Sequence, residues 1–435
     1  MNYREALAWL YSLQRFGIKL GLDNIRRLIA ELTGSDGLQA AVSSPGGSEA
    51  AVSWKVVHVA GTNGKGSVCA MIDSICRAAN YRTGLFTSPH LVTFRERIRI
   101  NGEMISEDRV ASGLTSIRNL VADWQPHPTF FEIITALALQ HFSEAKIDIV
   151  ILETGLGGRL DATNAVQSTV SVITPVDLDH QKWLGDSLEK IAFEKAGIIK
   201  SKAPVVSAPQ KPKVEAVLRK RTTACATSIE FVSGSYQKHP VALIGAQQKQ
   251  NAAVAIAAIR AAKIDIDDSE IARGLVSVDW PARFQRWDDR TIIDGAHNPA
   301  AARVLTETWQ EIFGNQSATL ILAILSDKDL RGICEALIPI ADSVLLPKIR
   351  SERAADPKQL AKIFESIASV CSAGASPAGN RSGCPTISIA ASIADAFEAA
   401  RTKPNPILLT GSLHFAGEAL AQLRGEPAAY EECAQ

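Results

Sequence analysis

Residues 55–67 read KVVHVAGTNGKGS, an apolar run that breaks into a glycine-rich loop carrying Lys65 and Ser67. Those residue types in that order suit a phosphate cradle. Glycines let backbone N–H groups curl around phosphate oxygens, a following helix offers the positive end of its dipole, and a lysine neutralises the outer phosphates. The common phosphate-loop spacing would put a glycine at Val59 and a hydroxyl directly after the lysine. Here Gly66 follows Lys65, and Ser67 comes one place later. The competing interpretation is a glycine-rich turn without a ligand. A chance turn would rarely keep strand, loop, lysine, hydroxyl and helix in order while shifting only the spacing.

Other chemically able groups recur just after apolar runs: Ser88 and His90 after TGLFT, Glu153 at the end of IDIVILE, and Asp177, Asp179 and His180 after STVSVIT. Further along, Asp294, His297 and Asn298 follow TII, and Ser412 and His414 follow PILLTG. In open parallel sheets, ligands bind outside the carboxyl ends of strands, which is where these residues would fall. A single histidine after a strand is more often a loop residue with a satisfied hydrogen bond. Glu153 carries more weight, because a carboxylate closing so apolar a strand needs a partner or a cation. Beside a phosphate loop that cation is Mg²⁺, which favours few protein oxygens, retained water and substrate phosphates. His180 is open to two roles, an unusual nitrogen ligand or a proton-handling group. Lys195 sits near the end of DSLEKIAFEKAGIIK, where Asp186 and Glu189 have capping-box spacing and Gly197 stops the helix. By itself such a lysine reads as a solvated charge favoured by the helix dipole.

These residues need elements to position them. With 435 residues the chain is too long for one ordinary core and fits two or three domains with a cleft between them. Lys plus Arg equal Asp plus Glu at 46 each, so no charge field points to nucleic acid or to a basic partner, and any anion site is local. Seven cysteines are scattered without metal-ligand spacing, as suits reduced thiols, and no stretch is apolar enough to span a bilayer. The N-terminus has no signal-peptide core, so a cytoplasmic location is expected. Two short helices are expected over residues 4–32, then a Gly/Ser/Ala-rich surface loop over 33–53. Strands and helices then alternate: VVHVA, a helix to Ala79, TGLFT, helices at 106–123 and 131–143, IDIVILE, STVSVIT and a helix at 187–196. After Trp280-Pro281 the alternation restarts with TIIDGAHN, a helix at 299–312, TLILAIL, SVLLP, a loop at 372–386, TISIA and PILLTGS. The pattern predicts an α/β protein with two units, 1–280 and 281–435, each a mostly parallel sheet covered by helices.

Several separated segments together resemble one family. RFGIKLGLDNI, HVAGTNGKGS, GLFTSPHL, ERIRING, TFFEIITALAL, LETGLGGRLDATN, LDHQKWLGDSLEKIAFEKAGIIK, QQKQNAAVAIAA, WPARFQ, DGAHNP and TGSLHFAGE run in family order from residue 15 to 418. The chain resembles the folylpolyglutamate synthases, in particular the bacterial bifunctional dihydrofolate synthase/folylpolyglutamate synthases, among the Mur-ligase-type amide ligases. The resemblance implies a P-loop-type ATPase domain, a smaller Rossmann-like glutamate-ligase domain, and an active site in the cleft between them. It implies that ATP phosphorylates a substrate carboxylate and that the amine of L-glutamate displaces the phosphate. Dihydropteroate and reduced folates would be the acceptors, and the enzyme would be a monomer.

Roles follow from matching positions. Gly61, Thr62, Asn63, Gly64, Lys65, Gly66 and Ser67 would hold the ATP phosphates, and Ser88, Glu153 and His180 would bind Mg²⁺. Lys195 matches a position carbamylated by CO₂ in the family, which would make it an anion able to hold a second Mg²⁺. Lys65, His180 and Lys195 would carry the catalysis. Asn251, Arg283, Asp294 and His297 would close over the nucleotide; Thr129, Phe131 and Asp161 would meet the pterin; Ser412 and His414 would face glutamate. Two features depart from the family. Thr174-Pro175-Val176-Asp177 stands where Thr-Asn-Ile is common, leaving Asp177 either an added carboxylate near the metals or a loop cap, and the 33–53 loop is longer than expected. Polyglutamylation alone is a close alternative. TSPHL and LGGRLDATN argue against a cell-wall muramyl ligase, and the second α/β unit argues against a P-loop ATPase switch.

Overall fold

A computed structural model of the chain describes residues 1–17, 21–33, 54–372 and 385–431. The expected 33–53 loop, most of the 372–386 loop and part of RFGIKLGLDNI therefore fall outside the described residues.

Among the described residues eight strands form the first sheet: β1 (Lys55–Ala60), β2 (Thr83–Phe86), β3 (Ile98–Ile100), β4 (Glu103–Met104), β5 (Ile149–Glu153), β6 (Val170–Ile173), β7 (Val205–Ser207) and β8 (Ile229–Phe231). Their order is β4-β3-β2-β5-β1-β6-β7-β8, with every pair from β2 to β8 parallel and the β2–β3–β4 edge antiparallel. The near-continuous apolar run of β1 fits this position, because a central parallel strand is covered on both faces. Chain direction along the sheet reverses at β1, which lies between β5 and β6 and opens a crevice at their carboxyl ends. Val59 pairs in register with Glu153, so the phosphate loop and the carboxylate leave the sheet side by side.

Helix Lys65–Ala78 covers one face with helices Ala246–Ala261 and Asp268–Ser277, packing Met71, Ile72 and Ile75 with Ala255, Ala258 and Leu275. The other face is covered by helices Tyr3–Ser12, Asp23–Thr33, Glu107–Leu120 and Phe130–Glu144, with Leu10, Leu28, Leu114 and Leu137 in the core.

The second sheet contains β9 (Gln285–Arg286), β10 (Thr291–Ile293), β11 (Ala318–Leu322), β12 (Ala341–Pro347), β13 (Thr386–Ala390) and β14 (Ile407–Thr410), in the order β13-β12-β11-β14-β10-β9. Only β9 runs antiparallel among these described strands. Trp309, Leu320, Leu337 and Phe364 fill one side, and Phe397, Leu409, Phe415 and Leu420 fill the other.

The alternating α/β pattern is present in both sheets, with local corrections. The antiparallel strands β3 and β4 and the strand–helix series from 205 to 277 are not in the sequence expectation. Helix 187–196 starts from Ser187, whose hydroxyl caps Lys190 N, while Asp186 pairs with Lys190 instead of forming a capping box with Glu189. Cys69, Cys76, Cys225 and Cys334 are free thiols. No helix among the described residues is long and apolar enough to cross a membrane.

Candidate active site

Gly61 through Gly64 turn out of β1 into helix Lys65–Ala78. Gly64 holds φ of +87°, a left-handed conformation that costs glycine little. The loop is braced from β6: Thr62 N donates to Pro175 O at 2.9 Å, and Thr62 and Asp177 exchange hydroxyl and backbone hydrogen bonds at 3.0 Å. Lys65 Nζ lies 3.4 Å from Thr62 O and 4.0 Å from Glu153 Oε1.

Glu153 is buried, and burial pushes its carboxyl above the usual range, opposed chiefly by Lys65. It accepts from Ser88 N at 3.2 Å. Ser67 Oγ and Ser88 Oγ are both buried without a hydrogen-bond partner. A buried carboxylate and two unsatisfied hydroxyls form an oxygen-rich donor set that fits a hard divalent cation and a phosphate. The fit does not extend as clearly to His180. Its ring is 41% exposed and its Nε2 lies 3.9 Å from Asp179, and no three His, Cys, Asp or Glu side chains among the described residues converge as a metal cage.

The structure overturns the solvated reading of Lys195. The side chain is buried, and Nζ donates to Gly61 O at 2.7 Å, at the base of the phosphate loop. Burial, and then the charge of Lys65, pull its ammonium down to about 7. Asp177 is a loop residue: its carboxylate takes Lys211 Nζ at 2.8 Å and Leu178 N at 2.9 Å.

The second sheet faces this crevice. Arg283 is half-buried, with desolvation pulling its guanidinium down while Asp294 and Glu153 hold it up. Asp294 spends both carboxylate oxygens on its own loop, accepting from Phe284 N and Ala296 N at 2.8 Å each, so it shapes the turn that carries Arg283. His297 Nδ1 lies 2.9 Å from Gly295 O, and burial followed by the charge of Lys328 pushes the imidazole down to about 4. Asn251 lies beside Gly64 and donates to Gln248 Oε1 at 3.0 Å.

Asp179 joins the two units, although the sequence gives it no assigned role. Lys328 Nζ meets it at 2.7 Å, Asn298 Nδ2 at 3.2 Å and His297 Nε2 at 3.6 Å. Burial alone would raise this carboxyl, but His297, His180 and Lys328 together hold it well below the usual range. Asn63 and Asn298 exchange reciprocal amide hydrogen bonds at 3.3 and 3.0 Å. Asp179 stood in view after β6, but Lys328 gave no signal in sequence.

Three expected ligand contacts have structural work of their own. Thr129 caps helix Phe130–Glu144 through a capping box with Glu132. Asp161 is buried and accepts from Gly155 N, Leu156 N and Thr163 N, organising the GGRLDATN loop. Ser412 caps helix Leu413–Leu423 by accepting from Phe415 N at 3.1 Å. Phe131 packs near Phe86 with 5.8 Å between ring centroids, and buried His414 leaves Nδ1 unpartnered. A small cavity opens between the sheets, lined by Gly66, Ser88, Glu153, Trp280, Arg283 and Leu413 among others.

Two family models match the chain: the Mur ligase middle domain over residues 59–221 and the Mur ligase glutamate ligase domain over residues 282–413. A dihydrofolate synthase/folylpolyglutamate synthase of Bacillus subtilis is 34% identical over 82% of this chain and 88% of its own length. A probable bifunctional folylpolyglutamate synthase/dihydropteroate synthase of Haloferax volcanii is 32% identical over 96% of this chain, which spans only 50% of that longer protein. Among solved structures, folylpolyglutamate synthase of Mycobacterium tuberculosis complexed with ADP and AMPPCP superposes with a TM-score of 0.81, at 31% identity over 98% of this chain and 99% of its own. A bifunctional folylpolyglutamate synthase/dihydrofolate synthase with Mn, AMPPNP and L-glutamate bound gives a TM-score of 0.79, at 29% identity over 96% and 98% of the two chains.

Proposed function

The chain belongs to the Mur ligase family, in its branch of dihydrofolate and folylpolyglutamate synthases, and from that premise we propose that it joins L-glutamate to dihydropteroate and to reduced folates at the expense of ATP. One observation carries the proposal: the buried carboxylate Glu153, with Lys65 of the phosphate loop 4.0 Å from it, and Arg283 of the second unit line one cavity. That arrangement suits transfer of a phosphoryl group between two substrates bound from opposite sides.

In this reading ATP lies with its phosphates on Gly61–Ser67, and Lys65 and the helix N-terminus neutralise the transferring group. The substrate carboxylate attacks the γ-phosphate to give an acyl phosphate as the β–γ bond breaks and ADP leaves, and the glutamate amine then attacks the acyl carbon, displacing phosphate and losing a proton to form the amide. Glu153 and Ser88 would hold Mg²⁺, with His180 at the exposed rim. When bound, the ion supplies positive charge against the phosphate oxygens. Arg283 adds fixed positive charge from the second unit, and the Asp179–Lys328 pair draws the two units together, which keeps water from the acyl phosphate. His414 and Ser412 lie on the glutamate side, Phe131 on the pterin side, and Asn251 and His297 toward the nucleotide. We place the division between units at Trp280-Pro281, and the enzyme as a monomer in the cytoplasm, where ATP and reduced folates are found.

Lys195 is proposed to carry a carbamate. At about 7, much of its amine is neutral near neutral pH, and the neutral amine is the form that adds CO₂. Lys195→Ala is expected to keep the fold and lose at least about tenfold in turnover, with partial recovery on adding short carboxylic acids. Unchanged kinetics would remove the carbamate from the mechanism. The main test is glutamate-dependent ADP release with dihydropteroate and with tetrahydrofolate, each with Mg²⁺ and ATP. Stimulation by both is expected; stimulation by neither would overturn the ligase assignment, and stimulation by tetrahydrofolate alone would restrict it to polyglutamylation.

A further inference from the structure

Trp280 closes the first unit and is used by none of the roles assigned above. Its indole packs on the first turn of the phosphate-loop helix. A Cβ built on Gly66 would come within 2.9 Å of Trp280 Nε1 and 3.4 Å of Cε2 and Cζ2. The Arg99 guanidinium sits 5.6 Å from the centre of the indole ring, and all three residues line the cavity that holds Glu153 and Arg283.

The chain beyond Trp280 is held just as firmly. Ala282 and Phe284 adopt φ of +56° and +47°, left-handed conformations unusual for side-chain-bearing residues. Both are buried in the second unit's cores, Ala282 with Leu409 and Phe415, Phe284 with Trp309 and Leu320. Packing on both sides maintains this costly backbone, and Arg283 between them is thereby aimed into the cavity. Over four residues the chain thus runs from an indole seated on the phosphate loop to a guanidinium facing the same site.

We propose that Trp280 is a positioning residue that sets the distance between the phosphate loop and Arg283, and that Gly66 is glycine because the indole occupies the space a side chain would need. The displaced serine of the loop follows from this: position 66 is given up to Trp280, so the hydroxyl moves to Ser67. The inference rests on the nucleotide site proposed above but concerns how that site is held.

The test is a double-mutant cycle on the full chain, read by calorimetric binding of Mg·ADP, by kcat and KM for ATP, and by thermal midpoint. Gly66→Ala is expected to weaken ADP binding at least tenfold by colliding with the indole. In a Trp280→Ala background the same substitution should cost less than threefold. Trp280→Ala alone should lower kcat with a smaller change in ADP affinity, because Arg283 loses its register, while Trp280→Phe, which keeps a ring on the loop, should restore most of kcat at an unchanged midpoint. Equal costs of Gly66→Ala in both backgrounds would overturn the inference, as would wild-type kcat in Trp280→Ala. If Trp280→Ala does not fold, Trp280→Leu takes its place in the cycle with the same expectations. Failure of the unaltered chain to bind Mg·ADP would instead overturn the nucleotide site itself.

Discussion

Glu153 and Lys195 show how differently two buried charges are written in a sequence. Glu153 is legible because it closes an apolar strand, where a carboxylate has no reason to be unless something binds it. Lys195 is hidden because helical position alone makes it a solvated end-of-helix lysine. Only the packing of helix Leu188–Ala196 under the phosphate loop turns its amine onto Gly61 O. The residue-scale prediction concerns Glu153, whose carboxyl is raised first of all by burial. Glu153→Gln removes a buried charge while keeping its shape, so the thermal midpoint should hold or rise. Turnover should fall at least about hundredfold if, as proposed, Glu153 holds the cation that neutralises the transferring phosphate. A lower midpoint in parallel with lower turnover would make Glu153 a structural residue instead.

At the scale of elements, Thr129 offers the sharpest division between scaffold and ligand. The family resemblance puts it at the pterin, while the structure spends its hydroxyl and backbone on the capping box with Glu132. Thr129→Ala should therefore cost about 1 kcal/mol of stability, read by urea unfolding. KM for dihydropteroate should stay within about twofold of the parent, a difference of only a few tenths of a kcal/mol; a large rise with unchanged stability would restore the pterin role. The strands that carry Lys65, Ser88, Glu153 and Asp294 are legible because buried parallel strands read as apolar runs with polar residues at their ends. The 205–277 region is less so. Helix Ala246–Ala261 is buried on several sides against the sheet and its neighbours, so its alanine-rich sequence has little amphipathic period to detect. Strands β7 and β8 have three residues each, too few to show an alternation.

At the scale of the whole molecule, the two sheets are joined by contacts that no local pattern announces. Asp179 meets Lys328 across 149 positions of sequence, and Asn63 meets Asn298 across 235. A third tie runs elsewhere: the Glu431 carboxylate takes Tyr3 OH at 3.0 Å, Thr93 Oγ1 at 3.1 Å and Phe94 N at 2.6 Å, binding the loop after Ser88 to both ends of the described chain. Sequence supplies the members of such pairs as separate polar residues after strands, and only the folded topology supplies the pairing.

The Asn63–Asn298 pair also bears on how the protein ages. Asn63 precedes Gly64, and an asparagine before a glycine is prone to slow loss of its side-chain ammonia through attack by the following backbone nitrogen. The reciprocal hydrogen bonds engage that amide, and Gly64 is held in its turn at the helix start. Asn298→Ala should therefore deamidate at Asn63 faster than the parent on prolonged incubation at mildly alkaline pH, as followed by peptide mass spectrometry; equal rates would show that the pairing gives no protection. Each event would pass through a cyclic imide and leave an aspartate or isoaspartate in the proposed phosphate loop, so shelf life and nucleotide affinity would decline together.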